Sequence, residues 1–235
     1  MVLASVMLAG CYAPVRLMPT PVSFSNGDVD PFEQIGEKLK STEVPVLYAT
    51  NRLALIEQPE PVHTIVPTDD LRMGVAHVRV GDETLDWETL HRLSTSADPD
   101  ERPIVHLERL EQLAVLRSNE EVKNSPEAKA FFALVNKALA ASPNSELLIY
   151  VHGSNNTVPR AAAQAAQFRH FTGRRMVVLV FMWPSAGSIL RYLTDVSNAA
   201  STVEPFARMV ELLAENTTAS KIDVLAYSAG AQVLS

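Results

Sequence analysis

The chain has 235 residues, of which 47% are hydrophobic and 20% charged, so it is long enough for one main domain with a sizeable core. Its formal net charge is -7 and it contains no long cluster of Lys and Arg, so it lacks the positive surface that a nucleic-acid backbone requires. Nucleic acid is therefore excluded as an expected partner. The single cysteine, Cys11, excludes an intrachain disulfide and a thiolate metal site.

The first eleven residues resemble a bacterial lipoprotein signal. Residues 1–10 (MVLASVMLAG) are apolar but too short to span a bilayer, and the ending Leu-Ala-Gly before Cys11 resembles a lipobox. The resemblance implies a lipid on Cys11 that anchors the protein in the bacterial cell envelope. The outer membrane is favoured because Tyr12, and not Asp, follows the cysteine. The alternative is a chance cysteine in a buried or frayed terminus, because the segment lacks a positively charged start.

The next segments predict a tether and then a domain. Residues 12–43 contain several Pro, Gly, Ser and Asp residues, a composition that predicts a flexible tether. The β-rich runs 44–50 and 73–80 predict strands, and 104–113 favours a strand although its spacing does not separate the two periods. We expect these runs to add strands to the main sheet and not to form a separate lid. The domain is therefore expected over residues 44–235.

The second half of the chain alternates between helix and strand patterns. Helices are predicted at 125–141, 159–171 and 202–216, and short apolar strands at 147–151, 176–183 and 222–227. Uninterrupted apolar strands are typical of strands buried on both faces. The alternation predicts an α/β fold with a mostly parallel sheet and helices on both faces. In such sheets, chemistry takes place at the carboxyl ends of the strands.

A candidate nucleophile, Ser228, follows the last of these strands. In Ala226-Tyr-Ser-Ala-Gly230, small residues stand two before and two after the serine, as a sharp strand-to-helix turn requires. The pattern differs by one methyl group from G-x-S-x-G. Taken alone, it does not separate a nucleophile elbow from an ordinary strand end.

The other two strand ends favour the elbow. His152-Gly153-Ser154 follows the first strand and Trp183-Pro-Ser follows the second. A His-Gly turn in this position is where α/β-hydrolases place one oxyanion-hole N–H, and the residue after the nucleophile supplies the other. We therefore expect the backbone of Ala229, with that of Gly153 or Ser154, to form the oxyanion hole.

Four segments together resemble the bacterial α/β-hydrolase family of unknown function that is labelled by its domain number, nine hundred. They are VPVLYATNR (44–52), VHGSNN (151–156), WPSAG (183–187) with Tyr192 and Asp195, and AYSAG (226–230). The resemblance covers roughly residues 44–235 and implies a serine-hydrolase fold, but it supplies no substrate. Ser154 stands where that family usually has an aromatic residue, which puts the shape of the acyl pocket in doubt.

Four further residues are candidates for lining the site, and each has a simpler alternative. For His152, a role in fixing its turn by hydrogen bonding is a simpler interpretation than a role as the catalytic base. Trp183 lies at a strand end where chemistry is expected. Asp195 either caps a helix or lies on the surface, unless it is close to the site. Tyr227 either shapes the pocket or packs beside the elbow.

No histidine follows Ser228, whereas the α/β-hydrolase order is nucleophile, acid, His. We therefore expect the fold to be incomplete at the C-terminus, with the acid and His beyond residue 235, and the fragment to be inactive. The predicted function is a serine hydrolase, esterase- or lipase-like, acting on an ester or related acyl substrate without a metal or organic cofactor. An acyltransferase using the same serine is not separated by the sequence. The alternative from another class is a non-catalytic envelope lipoprotein that uses the scaffold for binding.

Overall fold

The computed structural model describes residues 13–56, 60–97 and 102–235, so Cys11 and the lipobox-like segment lie outside the described residues. The helices and strands follow in this order: α1 (Val22–Ser25), β1 (Val46–Ile56), β2 (Val62–Val80), α2 (Trp87–Thr95), β3 (Val105–Leu116), α3 (Pro126–Ala140), β4 (Glu146–Val151), α4 (Val158–Phe171), β5 (Val177–Phe181), α5 (Tyr192–Ala200), α6 (Val203–Asn216) and β6 (Lys221–Ala226). Within the described ranges, no helix has the length and apolar character needed to cross a bilayer.

The six strands form one mixed sheet in the order β3-β2-β1-β5-β4-β6. Strands β1, β5, β4 and β6 are parallel, whereas β2 and β3 are antiparallel additions beside β1. The predicted α/β class with a mostly parallel sheet is therefore confirmed. The N-terminal strands belong to the same sheet, as expected, and do not form a separate lid.

Apolar side chains on both faces of the central strands explain why helices cover the sheet on two sides. All five residues of β5 are buried, as the uninterrupted apolar run predicted. Helices α3 and α6 pack on one face through residues such as Phe131 and Met209. On the other face, α4 presents buried alanines, including Ala162 and Ala165, whose small side chains allow close packing on the sheet.

Two helix starts follow from local capping chemistry. The hydroxyl oxygen of Ser125 accepts a hydrogen bond from the backbone N–H of Ala128 at 3.2 Å, and Pro126 begins α3 as the sequence predicted. The helix α2 was not predicted, although Asp86 caps it by accepting from the N–H of Thr89 at 2.8 Å. The helix α5 was also not predicted.

The segment expected to be a tether lies against the domain from residue 13 onward. Leu17 and Phe32 are only 1% and 3% exposed, and the backbone N–H of Leu17 donates to the carbonyl of Pro103 at 2.9 Å. The expectation of a flexible tether is therefore corrected for the described residues 13–43. Its composition indicated irregular backbone correctly, but irregular backbone still packs when it carries large apolar side chains that a neighbouring surface can bury.

Strands β1 and β2 are longer than predicted and form an arm that projects past the parallel strands. The last pair between β1 and β5 is Ala49 with Phe181, whereas β1 and β2 remain paired as far as Ile56 with Val62. Residues of β1 after Ala49 therefore continue beyond the carboxyl end of β5. The polar residues at the start of β2 concealed this arm, because its strand pairing depends on backbone hydrogen bonds and not on an apolar pattern.

Candidate active site

Ser228 lies on a sharp turn at the carboxyl end of β6. The strand ends at Ala226, and a 3₁₀ helix runs from Ser228 to Leu234. Ser228 has a φ of 51°, in the left-handed region that costs a residue with a side chain about 1–3 kcal/mol. The N–H of Gly230 closes the turn by donating to the carbonyl of Tyr227 at 2.9 Å. Ser228 is exposed to solvent.

The small residue at position 230 is required by the close approach of β4. A Cβ on Gly230 would lie 2.5 Å from the carbonyl oxygen of His152 and 2.8 Å from that of Val151. In addition, the N–H of Tyr227 donates to the carbonyl of Val151 at 2.9 Å. The elbow is thus pressed against the end of β4, which explains the glycine that the sequence pattern contains.

The His-Gly turn after β4 lies directly beside the serine. A Cβ on Gly153 would lie 3.2 Å from the Cβ of Ser228 and 3.0 Å from Cδ1 of Tyr227. Gly153 is buried and Ser154 half-buried, whereas the side chain of Tyr227 is 65% exposed. The structure therefore brings the turn predicted to supply an oxyanion donor next to Ser228. Ala229, which immediately follows the serine, is buried.

His152 and Trp183 form a buried stack beneath this turn. Their ring centroids are 5.3 Å apart with an interplanar angle of 13°, and Nε1 of Trp183 donates to the carbonyl of His152 at 2.5 Å. Nδ1 of His152 donates to the carbonyl of Gly153 at 2.8 Å. Burial, helped by the positive charge of Arg52, lowers the pKa of His152 to about 3. His152 is therefore neutral at physiological pH and is bonded to its own turn.

Asp195, in α5, lies beneath the loops and not on the surface. Asp195 is only 1% exposed. One carboxylate oxygen accepts from the N–H of Asn155 at 3.0 Å and from the hydroxyl of Ser185 at 2.9 Å, and the other accepts from the N–H of Ala186 at 2.5 Å. Asn155 has a φ of 56°. Asp195 thus fixes the loop after β4 to the loop after β5.

Arg52 is a residue of this site to which the sequence analysis assigned no role. It is 3% exposed, and its guanidinium donates to the carbonyls of Met182 at 3.2 Å, Trp183 at 2.7 Å and Ser185 at 3.2 Å. Burial lowers its pKa to about 10, and the negative charge of Asp195 opposes that shift. A charged residue ending the apolar run of β1 was the available signal, but nothing local shows which carbonyls it binds.

The arrangement has two layers. Ser228 and Tyr227 form the exposed layer. The residues of the buried layer, which fixes the loops, are Gly153, His152, Trp183, Arg52 and Asp195. A serine hydroxyl on a strained turn beside a glycine turn is an arrangement that acyl-transfer chemistry can use.

Residues 127–235 match the model of a family described as "Alpha/beta hydrolase of unknown function (DUF900)". The match includes α3 through the elbow and confirms, for these residues, the family to which the sequence was similar. It does not include residues 44–126, which the resemblance also covered. No curated protein and no solved structure matches the chain.

Proposed function

Because residues 127–235 belong to an alpha/beta hydrolase family, we propose that the protein is a serine hydrolase in which Ser228 attacks an ester or related acyl carbonyl. The observation that supports this most is the position of Ser228. Ser228 has a φ of 51° directly after the parallel strand β6, and it lies next to Gly153 in the loop that follows β4. Such a turn exposes a serine hydroxyl at the carboxyl edge of the sheet.

In the proposed reaction, Oγ of Ser228 forms a bond to the carbonyl carbon while a base takes its proton. The carbonyl π electrons move to the oxygen, where the N–H groups of Ala229 and of Gly153 or Ser154 stabilise the negative charge. Collapse of this intermediate breaks the bond to the leaving alcohol, which receives the proton from the base. Water then hydrolyses the acyl-enzyme, which releases the acid and restores the serine.

The proposal assigns the base and its acid to residues that follow Ser228 in the full protein. The order nucleophile, acid, His is a property of this fold. His152 is unsuited as the base because burial lowers its pKa to about 3 and Nδ1 donates to Gly153. The assignment requires an Asp or Glu and then a His after Ser228, and sequencing beyond codon 235 tests it. Without them, the oxyanion donors alone would leave only a small residual rate.

The test is labelling of the full-length protein with a fluorophosphonate, followed by mass spectrometry of the modified peptide. We expect the label on Ser228, because an activated serine forms a stable phosphonate ester with this probe. Ser228→Ala then removes labelling, and Ser201→Ala, at an exposed helix end, leaves it unchanged. An unlabelled but folded full-length protein would instead support the non-catalytic binding lipoprotein.

We also propose that Cys11 carries a lipid that anchors the protein in the cell envelope, with the outer membrane favoured. The apolar segment ending in Leu-Ala-Gly-Cys supports this proposal. Mass spectrometry of the native protein should find an N-terminal Cys11 with a diacylglyceryl group. A Cys11 that is unmodified and still preceded by residues 1–10 would contradict it.

A further inference from the structure

Large apolar side chains are exposed around the edge of the sheet where Ser228 lies. In α5 and the turn before it, Leu190 is 93% exposed, Leu193 83% and Val196 38%. Their spacing of three residues places them on one side of the helix. The opposite side of α5 holds Asp195, which is buried against the loops of the active site. This helix therefore has one side bound to the site and one apolar side in water.

The β1–β2 arm adds apolar side chains at the same edge. Leu55 is 72% exposed, Ile56 51% and Val62 48%. The arm and α5 are adjacent, because Nδ2 of Asn198 donates to the carbonyl of Ile65 at 2.8 Å. We refer to these six exposed residues as the apolar rim; they are Leu55, Ile56, Val62, Leu190, Leu193 and Val196. An exposed group of this kind beside a candidate active site indicates an interaction surface.

The charges near the rim favour an apolar contact over an electrostatic one. Residues 185–201 contain only two charged side chains, Arg191 and Asp195, and Asp195 is buried. Residues 53–66 of the arm contain Glu57 and Glu60 and no Lys or Arg. The rim therefore lacks the basic cluster that attracts anionic lipids or acidic proteins. Binding at this surface should depend on burial of apolar area and change little with salt.

What binds the apolar rim can be inferred from the position at which the chain enters the domain. Three contacts follow one another along α4, from its first turn to its last residue. The carbonyl of Ala13 accepts from Arg160 at 2.7 Å, the N–H of Met18 donates to the side chain of Gln167, and the rings of Phe24 and Phe171 stack at 6.4 Å. Since α4 begins just after β4 ends, Ala13 lies at the same edge of the sheet as Ser228.

The segment before Ala13 is the one with the composition of a membrane-directed sequence. Residues 1–10 contain no charged side chain, and Cys11 precedes Ala13 by two residues, a distance of at most about 7 Å in extended chain. A lipid on Cys11 would hold the membrane at the edge that also carries the apolar rim. The entry point and the rim thus point to the same occupant by separate observations.

We propose that the apolar rim docks onto the surface of a lipid bilayer, so that Ser228 faces the ester groups of membrane lipids. The docking proposal is supported by the apolar rim and by the position of Ala13, where the chain enters the domain. The lipid-ester substrate rests on the proposed hydrolase function. In this orientation, Leu190 and Leu193 enter the acyl region while Arg191, between them, remains at the headgroup level.

The first experiment uses the single cysteine of the chain. In full-length Cys11→Ser protein, with any cysteine after residue 235 also replaced by serine, Leu193→Cys provides one site for an environment-sensitive fluorophore. We expect phosphatidylcholine vesicles to shift its emission to shorter wavelength, because the probe enters the lipid. The control is Val29→Cys in the same background, at a position 50% exposed near the opposite end of α4, and its emission should not move. The shift should persist when the salt concentration is raised from about 0.1 M to about 1 M.

A second experiment measures partitioning into the same vesicles by sedimentation. In the Cys11→Ser protein, Leu190→Asp with Leu193→Asp should lower the partition coefficient about tenfold or more. Val22→Asp with Val29→Asp adds the same charge at positions 73% and 50% exposed and should leave it unchanged. Both variants retain residues 1–12, so the difference reports the rim alone.

The outcomes separate docking from catalysis. An unshifted Leu193→Cys probe on vesicles overturns the docking proposal. A shift that grows with protein concentration without vesicles also overturns it, because the rim then covers a second copy of the chain. Fluorophosphonate labelling in buffer tests the hydrolase function separately. Labelling of Ser228 without vesicle binding would overturn only the docking proposal. Vesicle binding without labelling would overturn only the proposed hydrolysis of lipid esters.

Discussion

Gly230→Ala should destabilise the protein by about 3 kcal/mol, because the added methyl group has no space beside the end of β4. Its Cβ would lie 2.5 Å and 2.8 Å from the carbonyl oxygens of His152 and Val151. Val151 ends β4 and pairs with Phe181 and Ala226, and the carbonyl of His152, the next residue, accepts from Nε1 of Trp183, so neither carbonyl moves without breaking a contact. For a domain of this size the melting temperature should fall by roughly 6–12 °C.

The same substitution should also reduce fluorophosphonate labelling, because Ser228 moves away from Gly153 when the elbow is displaced. Thermal unfolding and the labelling rate below the melting temperature check the two effects separately. Gly36→Ala is the matched control. A Cβ at position 36 meets nothing within 4 Å, and its φ is not positive, so stability should change by less than about 0.5 kcal/mol. Equal melting temperatures for the two variants would contradict the packing described for the elbow.

Asp195→Asn should destabilise the protein by about 2–4 kcal/mol, although the two side chains have nearly the same shape. Both carboxylate oxygens of Asp195 accept hydrogen bonds. In asparagine an NH₂ group replaces one of these oxygens, so a donor would face a donor at that position. The change also removes the negative charge that opposes the desolvation of buried Arg52. Urea unfolding measures the stability.

Loss of one of the two backbone anchors, at Asn155 or at Ala186, should also slow labelling of Ser228, because Asp195 ties these two loops together and Asn155 belongs to the loop that contains Gly153. Asp223→Asn is the matched control, since Asp223 makes an exposed ion pair with Lys221 and should contribute less than about 1 kcal/mol. Adding Arg52→Met to Asp195→Asn removes both buried charges. We expect the double variant to lose less stability than the sum of the two single variants. Strict additivity would show that the two charges do not interact.

The strands and helices of the second half were predictable because their signals are local. The apolar run of β5, the cap at Ser125 and the small residue at Gly230 are each visible as a pattern within a short segment, even where the contacts that require them come from elsewhere. The same reasoning located Ser228 and Gly153 at neighbouring strand ends, since parallel strands bring their carboxyl ends to one edge. The sequence did not show that Asp195 is buried, because its three hydrogen-bond donors come from other segments.

The N-terminal third was less predictable for a related reason. Residues 13–43 have the composition of a tether, but Phe32 packs its ring against α2 and α4, and Leu17 joins the apolar cluster that includes residues of β3 and α4. The arm of β1 and β2 was also underestimated, because backbone pairing extends a strand beyond its apolar residues. Composition describes which groups need burial, but not which surface is close enough to bury them.

By itself, the amino-acid sequence determined the α/β alternation, the order of the strand ends and the residues that form the elbow. These can be recognised from periodicity and from residue types that stand within a few positions of each other. Only the tertiary structure decided that Arg52 and Asp195 fix the loops and that His152 is buried with a lowered pKa. It also decided that the exposed leucines of α5 share an edge with Ser228. Desolvation, buried hydrogen bonds and surface patches are created when distant segments meet, so no local pattern contains them.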